Sequence, residues 1–199
     1  MATPNAPQRI GVMGGTFDPI HAGHLIVASE AAHALNLSKV LFVPAFAPWQ
    51  KNPETSATHR LEMVRAAIAG HPAFEASTVD IDRGGNTYTV DTLADIAAAN
   101  PGAELFLLIG TDALLTMHTW KDFERIFSLA HVVAMARPGY VPGSEQTPPG
   151  AVTLLTVPAI DISSTDCRDR LRYGRPVEFM LTTPVLTYIN SHQLYRRDA

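Results

Sequence analysis

The sequence is poor in several features that would each suggest a ready explanation. Among 199 residues there is one cysteine, Cys167. A lone thiol makes no internal disulfide and no cysteine-based zinc site, and it points to a reducing compartment. Charge is sparse: Asp, Glu, Lys and Arg make up 17%, against an ordinary share of about 25%. Fifteen Lys+Arg against nineteen Asp+Glu leave a formal charge of −4. Broad nucleic-acid binding, which rests on neutralising phosphates, is therefore not expected. A small phosphorylated ligand held by a few local groups is still compatible. Apolar runs such as residues 105–109 fall far short of the ~20 needed to cross a bilayer. The opening MATPNAPQR is polar and shows no signal-peptide core. The expectation is a cytoplasmic protein with no membrane or nucleic-acid partner, and a homo-oligomer is left open. Two glycine patterns are also missing. Neither Gly-x-Gly-x-x-Gly nor the P-loop ending in Gly-Lys-Ser/Thr occurs, which counts against an NAD-dependent oxidoreductase.

What is present alternates. Hydrophobic residues reach 46%, enough for a sizeable core, and no repeat of 20–50 residues is visible. Short apolar runs ended by Gly or Pro predict strands over 9–13, 39–43, 104–109, 131–136 and 153–157, with an alternating edge strand over 74–82. Helical patterns fall over 22–35, 58–69 with Thr58 as N-cap, 89–99, from Ser163 or Ser164 to about 173, and 183–191. Residues 45–56 and 140–150 are rich in turn residues and read as loops. Alternating strands and helices predict one α/β domain over 1–199: a Rossmann-like, doubly wound, mostly parallel sheet with helices on both faces. Residues 1–8 form a polar extension. Ligands bind such sheets at the carboxyl ends of the strands.

After the first strand comes Gly14-Gly15-Thr16-Phe17-Asp18-Pro19-Ile20-His21-Ala22-Gly23-His24. The glycines allow a tight turn and close approach of a ligand to the backbone. The helix start offers free N–H groups to an anion. His21 and His24, three apart, share one helix face, and Gly23 keeps the space between them open. Two imidazoles donating to a polyphosphate is the favoured reading. A structural pair is the alternative, and a metal pair fits poorly because the helical zinc motif spaces its histidines by four. Near the other end, Ile162-Ser163-Ser164-Thr165-Asp166-Cys167-Arg168 places a capping serine at a helix start and an arginine one turn in. That arrangement also suits phosphate. Asp80 and Asp82 read as a solvated strand face, Asp91 as a helix-start residue, and Lys121 and Asp122 as surface.

The first stretch resembles the nucleotidyltransferase superfamily, whose members carry (H/T)-x-G-H after the first strand. The second resembles the superfamily's I-S-S-T-x-x-R element, which closes over the ATP phosphates. Gly85-Asn86-Thr87-Tyr88-Thr89-Val90-Asp91-Thr92-Leu93, Leu108-Ile109-Gly110-Thr111-Asp112-Ala113-Leu114 and Arg137-Pro138-Gly139-Tyr140 resemble stretches of bacterial nicotinate-nucleotide adenylyltransferases. The likeness runs from about Arg9 to Leu194. It implies adenylyl transfer from ATP to nicotinate mononucleotide, with Mg²⁺ accompanying ATP. It implies that His21, His24, Lys51 and Arg168 neutralise the phosphates. Gly14, Gly15, Thr16, Phe17, Gly23, Ile162, Ser163 and Ser164 would bind ATP, with residues 162–195 closing over it. Tyr88, Thr89, Gly110, Asp112 and Trp120 would bind the mononucleotide. One departure is that the family's Pro-Pro-His-Lys/Arg reads Pro48-Trp49-Gln50-Lys51 here. The rival acceptors are nicotinamide mononucleotide and phosphopantetheine, and a non-catalytic nucleotide sensor is a rival of another class.

Overall fold

A computed structural model describes residues 7–49, 51–136, 139 and 151–196. The expected 140–150 loop, Gln50 and most of the 137–140 turn lie outside the described residues. The elements in chain order are β1 (Arg9–Gly15), α1 (Ala22–Ala34), β2 (Lys39–Pro44), β3 (Ala47–Pro48), α2 (Ala57–Ile68), β4 (Phe74–Ala76), α3 (Val79–Arg83), β5 (Asn86–Thr87), α4 (Thr89–Ala99), β6 (Glu104–Gly110), α5 (Thr111–Thr116), a 3₁₀ turn (Met117–Thr119), α6 (Phe123–Leu129), β7 (His131–Ala136), β8 (Val152–Thr156), α7 (Ser164–Arg172) and α8 (Thr183–Ser191). Six strands form one sheet in the order β4-β2-β1-β6-β7-β8, every neighbouring pair parallel. β3 and β5 form a separate two-stranded ladder.

Alternation along the strands builds two cores. In the first core, Met13, Val40, Phe42, Phe106 and Leu108 face one side, with Ala28, Met63, Val185 and Ile189 of the helices. In the second, Ile10, Val12, Leu41, Val43, Leu105, Leu107 and Ile109 face the other, with Leu93, Ile96 and Ile126. The period of two sends successive side chains to opposite faces, and each fully buried Leu, Ile or Phe contributes about 1.5–3 kcal/mol. Gly11 sits where α1's exit presses closest: a Cβ there would meet Leu37 Cδ1 at 2.8 Å. The chain winds outward from β1 in one direction and then returns to its other side. The strand order therefore reverses between β1 and β6, and the crevice at their carboxyl ends is where such sheets bind ligands.

Two local expectations fail. Residues 74–82 are not one strand, because pairing stops at Ala76 and Val79–Arg83 forms a short helix. Asp80, read as solvated, is only 2% exposed. It accepts from the Thr92 hydroxyl at 2.6 Å and pairs with Arg83. Burial raises its pKa, while Thr92 and Arg83 pull the other way. The second correction is the cap of α2. Ser56, not Thr58, is the N-cap, its Oγ accepting from the His59 N–H at 3.2 Å.

Candidate active site

β1 delivers Gly14 and Gly15 to the crevice. Phe17 follows in the left-handed region, φ 52°, with its ring buried under Gly15. A Cβ on Gly15 would lie 2.8 Å from that ring, so the position needs glycine for space. His21 is the N-cap of α1. Its backbone N–H donates to His24 Nδ1 at 3.2 Å, which puts the proton of a neutral His24 on Nε2. The two imidazoles stack with centroids 3.7 Å apart, and Phe17 meets His24 edge-on at 5.1 Å. The shared face expected from their spacing is therefore present. Their charge state is less expected. Desolvation lowers the His21 pKa to about 4. His24 is lowered well below 6.5 by burial first, then by His21 and Lys51. Both rings are neutral at pH 7. Lys51 is exposed on the loop after β3, its backbone N–H donating to the Pro48 carbonyl at 3.5 Å.

Two residues that the sequence left without a role hold the turn. Asp18 is 3% exposed. Its carboxylate accepts from the Glu54 N–H, the Thr55 hydroxyl and the Tyr195 hydroxyl, each at 2.6 Å. Burial and the bond to Asp18 raise the Tyr195 pKa, so Tyr195 remains a donor. Arg60 has no exposed surface. Its guanidinium donates to the carbonyls of Thr16 (2.9 Å), Ala45 (2.6 Å), Phe46 (3.0 Å) and Thr55 (3.3 Å). Burial lowers its pKa, and Asp18 and Tyr195 oppose that shift. One buried cation thus fastens the loop after β1 to the loop after β2. The only sequence signal was Asp18's place inside the quoted motif; Arg60 belongs to no recognisable pattern.

The C-terminal motif folds back onto this turn. Ser163 proves to be the N-cap of α7, accepting from the Asp166 N–H at 3.1 Å. Ser164 Oγ instead donates to the Pro19 carbonyl at 2.9 Å. Arg168 Nη1 donates to the Asp18 carbonyl at 2.8 Å. Ile162 packs against the first core. Residues nearly 150 apart in sequence are therefore bonded across one corner.

A second cluster lies beside it. The β3–β5 ladder and the Phe46 N–H donating to Thr87 Oγ1 (3.0 Å) bring the loop after β2 to the start of α4. Tyr88 is the N-cap of α4 and Thr89 its first residue. The Tyr88 ring lies 6.5 Å from that of Trp49, and Lys121 Nζ sits 4.9 Å above it. Lys121, read as surface, also pairs with Asp91 at 2.9 Å. Trp120 is half-buried against the second core, and its Nε1 has no partner among the described residues. Gly110 ends β6 and is exposed, as is Asp112 in the first turn of α5. Among the described residues, no hydrogen bond or ring contact joins Gly110, Asp112 or Trp120 to Tyr88.

The geometry is that of an α/β protein with a glycine turn and a helix start at the strand switch point, where such sheets bind ligands. Residues 12–170 match the cytidylyltransferase-like family model, and the chain belongs to that family. Over 99% of its length it is 50% identical to a "probable nicotinate-nucleotide adenylyltransferase" of Leifsonia xyli subsp. xyli, covering 98% of that protein. It is also 50% identical, over 94% of its length and 100% of the relative, to one of the same name from Streptomyces coelicolor. Among solved structures, Plasmodium falciparum nicotinic acid mononucleotide adenylyltransferase complexed with NaAD superposes with a TM-score of 0.75 at 19% identity. That match covers 94% of this chain and 97% of that one. At such identity the likeness speaks for the fold.

Proposed function

We propose that the protein transfers the adenylyl group of ATP to nicotinate mononucleotide, giving deamido-NAD and pyrophosphate. The observation that carries this is the closure of the two motifs on each other, Ser164 on Pro19 and Arg168 on Asp18. It brings the capped start of α7 and Arg168 against the turn that leads into His21 and His24. The names of the full-length relatives support the acceptor, as does the dinucleotide product held by the structural neighbour.

In the reaction, a phosphate oxygen of the mononucleotide attacks the α-phosphorus of ATP. The new P–O bond forms as the bond to the β-phosphate oxygen breaks, and pyrophosphate leaves. The nucleophile is already anionic at pH 7, so no general base is needed, and catalysis consists of positioning and charge stabilisation. Gly14, Gly15 and Gly23 let the phosphates approach the backbone. Lys51 and Arg168 supply positive charge. His21 and His24 supply N–H donors, and burial lowers the pKa of both rings before any phosphate is bound. Tyr88, Thr89, Gly110, Asp112 and Trp120 are assigned to the mononucleotide. The metal enters as part of MgATP. Among the described residues no three His, Cys, Asp or Glu side chains group to hold an ion, and the Asp18 carboxylate is turned onto its own donors. In this proposal Mg²⁺ is held largely by the substrate phosphates and water.

The test is pyrophosphate release with MgATP and a panel of acceptors. Nicotinate mononucleotide should exceed nicotinamide mononucleotide in kcat/KM by at least about tenfold, the effect of leaving one or two polar groups unpaired at ~1–3 kcal/mol each. Preference for phosphopantetheine would move the acceptor assignment. No release with any acceptor would reject the reaction and favour a nucleotide sensor.

A further inference from the structure

Arg168 is already occupied by an internal anion. The two carboxylate oxygens of Glu54 are divided between two arginines: Oε1 accepts from Arg168 Nε at 2.8 Å and Oε2 from Arg172 Nη2 at 2.6 Å. These arginines are four apart on α7 and so share one face. Arg172 is also paired with Asp169 at 2.9 Å. The Glu54 side chain is 39% exposed, free enough to swing toward water. Its backbone N–H, by contrast, is bonded to the buried Asp18 carboxylate. The loop can therefore keep its place when the side chain leaves. Two guanidinium forks converging on one carboxylate make a geometry equally suited to a phosphate group. It lies against the turn that receives the phosphates in the proposed reaction.

We propose that this cluster is an exchangeable anion site. Glu54 holds Arg168 and Arg172 until a nucleoside triphosphate arrives, then yields them to its terminal phosphate. Arg172 thereby becomes a second phosphate-binding arginine and Glu54 a competitor that lowers polyphosphate affinity. The inference rests on the reading that places ATP against Arg168. A purely structural ion pair predicts the opposite sign. Neutralising Glu54 would then loosen Arg168 and weaken phosphate binding, or leave it unchanged.

The experiment is calorimetric titration of inorganic tripolyphosphate and of MgATP into wild type, E54Q, E54A, R172Q and the E54Q/R172Q pair. Both Glu54 variants should bind tripolyphosphate about fivefold tighter, equivalent to about 1 kcal/mol and the size of one partly exposed ion pair. KM for ATP should fall in parallel, with kcat little changed. R172Q should bind about fivefold more weakly, and the double variant should lose the gain of E54Q. Wild type that binds MgATP while E54Q and E54A bind tripolyphosphate no tighter would overturn the exchange alone. Wild type that binds no MgATP would overturn the adenylyl-transfer reading together with it.

Discussion

The neutral histidine at the head of α1 makes a quantitative demand on stability. His21 is 7% exposed, and desolvation depresses its pKa from 6.5 to about 4. In the unfolded chain it titrates near its ordinary value. Between those two values the unfolded state binds more protons than the folded one, so stability falls as pH falls from about 6.5 toward 4. At pH 7 the contribution is nearly zero. At pH 4.5 the unfolded imidazole is almost fully protonated while the folded one is mostly neutral, and the penalty is about 2–2.5 kcal/mol. Acid also titrates carboxylates, so the informative quantity is the difference between wild type and His21→Asn, a polar side chain of similar reach that does not titrate. Urea unfolding of both proteins at pH 7 and pH 4.5 measures it. His21→Asn should gain about 2 kcal/mol on wild type between the two pH values, whatever its stability at pH 7. A wild-type-minus-variant difference that stays constant across this range would show that His21 is not held neutral by burial.

Two further substitutions separate holding the site from binding in it. Asp18→Asn removes the charge that three donors share and turns an amide N–H₂ toward them. The expected loss is about 3–5 kcal/mol, or a melting temperature lower by roughly 10 °C at ~2–4 °C per kcal/mol for a chain of this size; a thermal melt within 2–3 °C of wild type would refute the keystone role. Trp120→Ala should raise KM for nicotinate mononucleotide and leave KM for ATP little changed in steady-state assays. Equal effects on both substrates with a lowered melting temperature would make Trp120 a packing residue of the second core.

Most of the frame was legible because it follows from local pattern. Strands that end in Gly or Pro were found at β1, β2 and β6, and α4 and α8 fall where their periodicity put them. The spacing of His21 and His24 already placed both rings on one face. The stretch over 79–82 misled for a physical reason. Val79, Asp80, Ile81 and Asp82 alternate as a strand would, but four residues also fill one helical turn. What decides between the two is the burial of Asp80 against Thr92 of α4, with Arg83 at the end of the same turn as its ion partner. Asp18, Arg60 and Tyr195 were illegible for a related reason. Their meaning is a network joining residues as far as 177 apart, and no local pattern encodes it. The neutrality of the histidines was equally hidden, since desolvation depends on what folds over a residue.

That neutrality changes what the corner can do. Two imidazolium rings at 3.7 Å would repel by about 4 kcal/mol at an effective dielectric near 20, equivalent to roughly three pH units. Even with a phosphate drawing protons in, the pair therefore carries at most one positive charge near neutral pH. The permanent charges belong to Lys51, on the loop after β3, and to Arg168 on α7. Such charges act over distance and are screened by salt, so in the proposed reaction they set the affinity for the triphosphate and its ionic-strength dependence. The histidine N–H groups act only over hydrogen-bond distances, and their packing under Phe17 and Gly23 fixes their direction. In the proposed reaction the charge that grows between ground state and transition state is on the departing pyrophosphate. A short-range donor aimed at that position stabilises the transition state more than the bound substrate. A long-range charge stabilises both. In the proposed reaction the division of labour follows from the chemistry of the side chains: permanent charge on the loop after β3 and on α7 for capture, and short-range imidazole donors at the strand switch point for the bond that breaks.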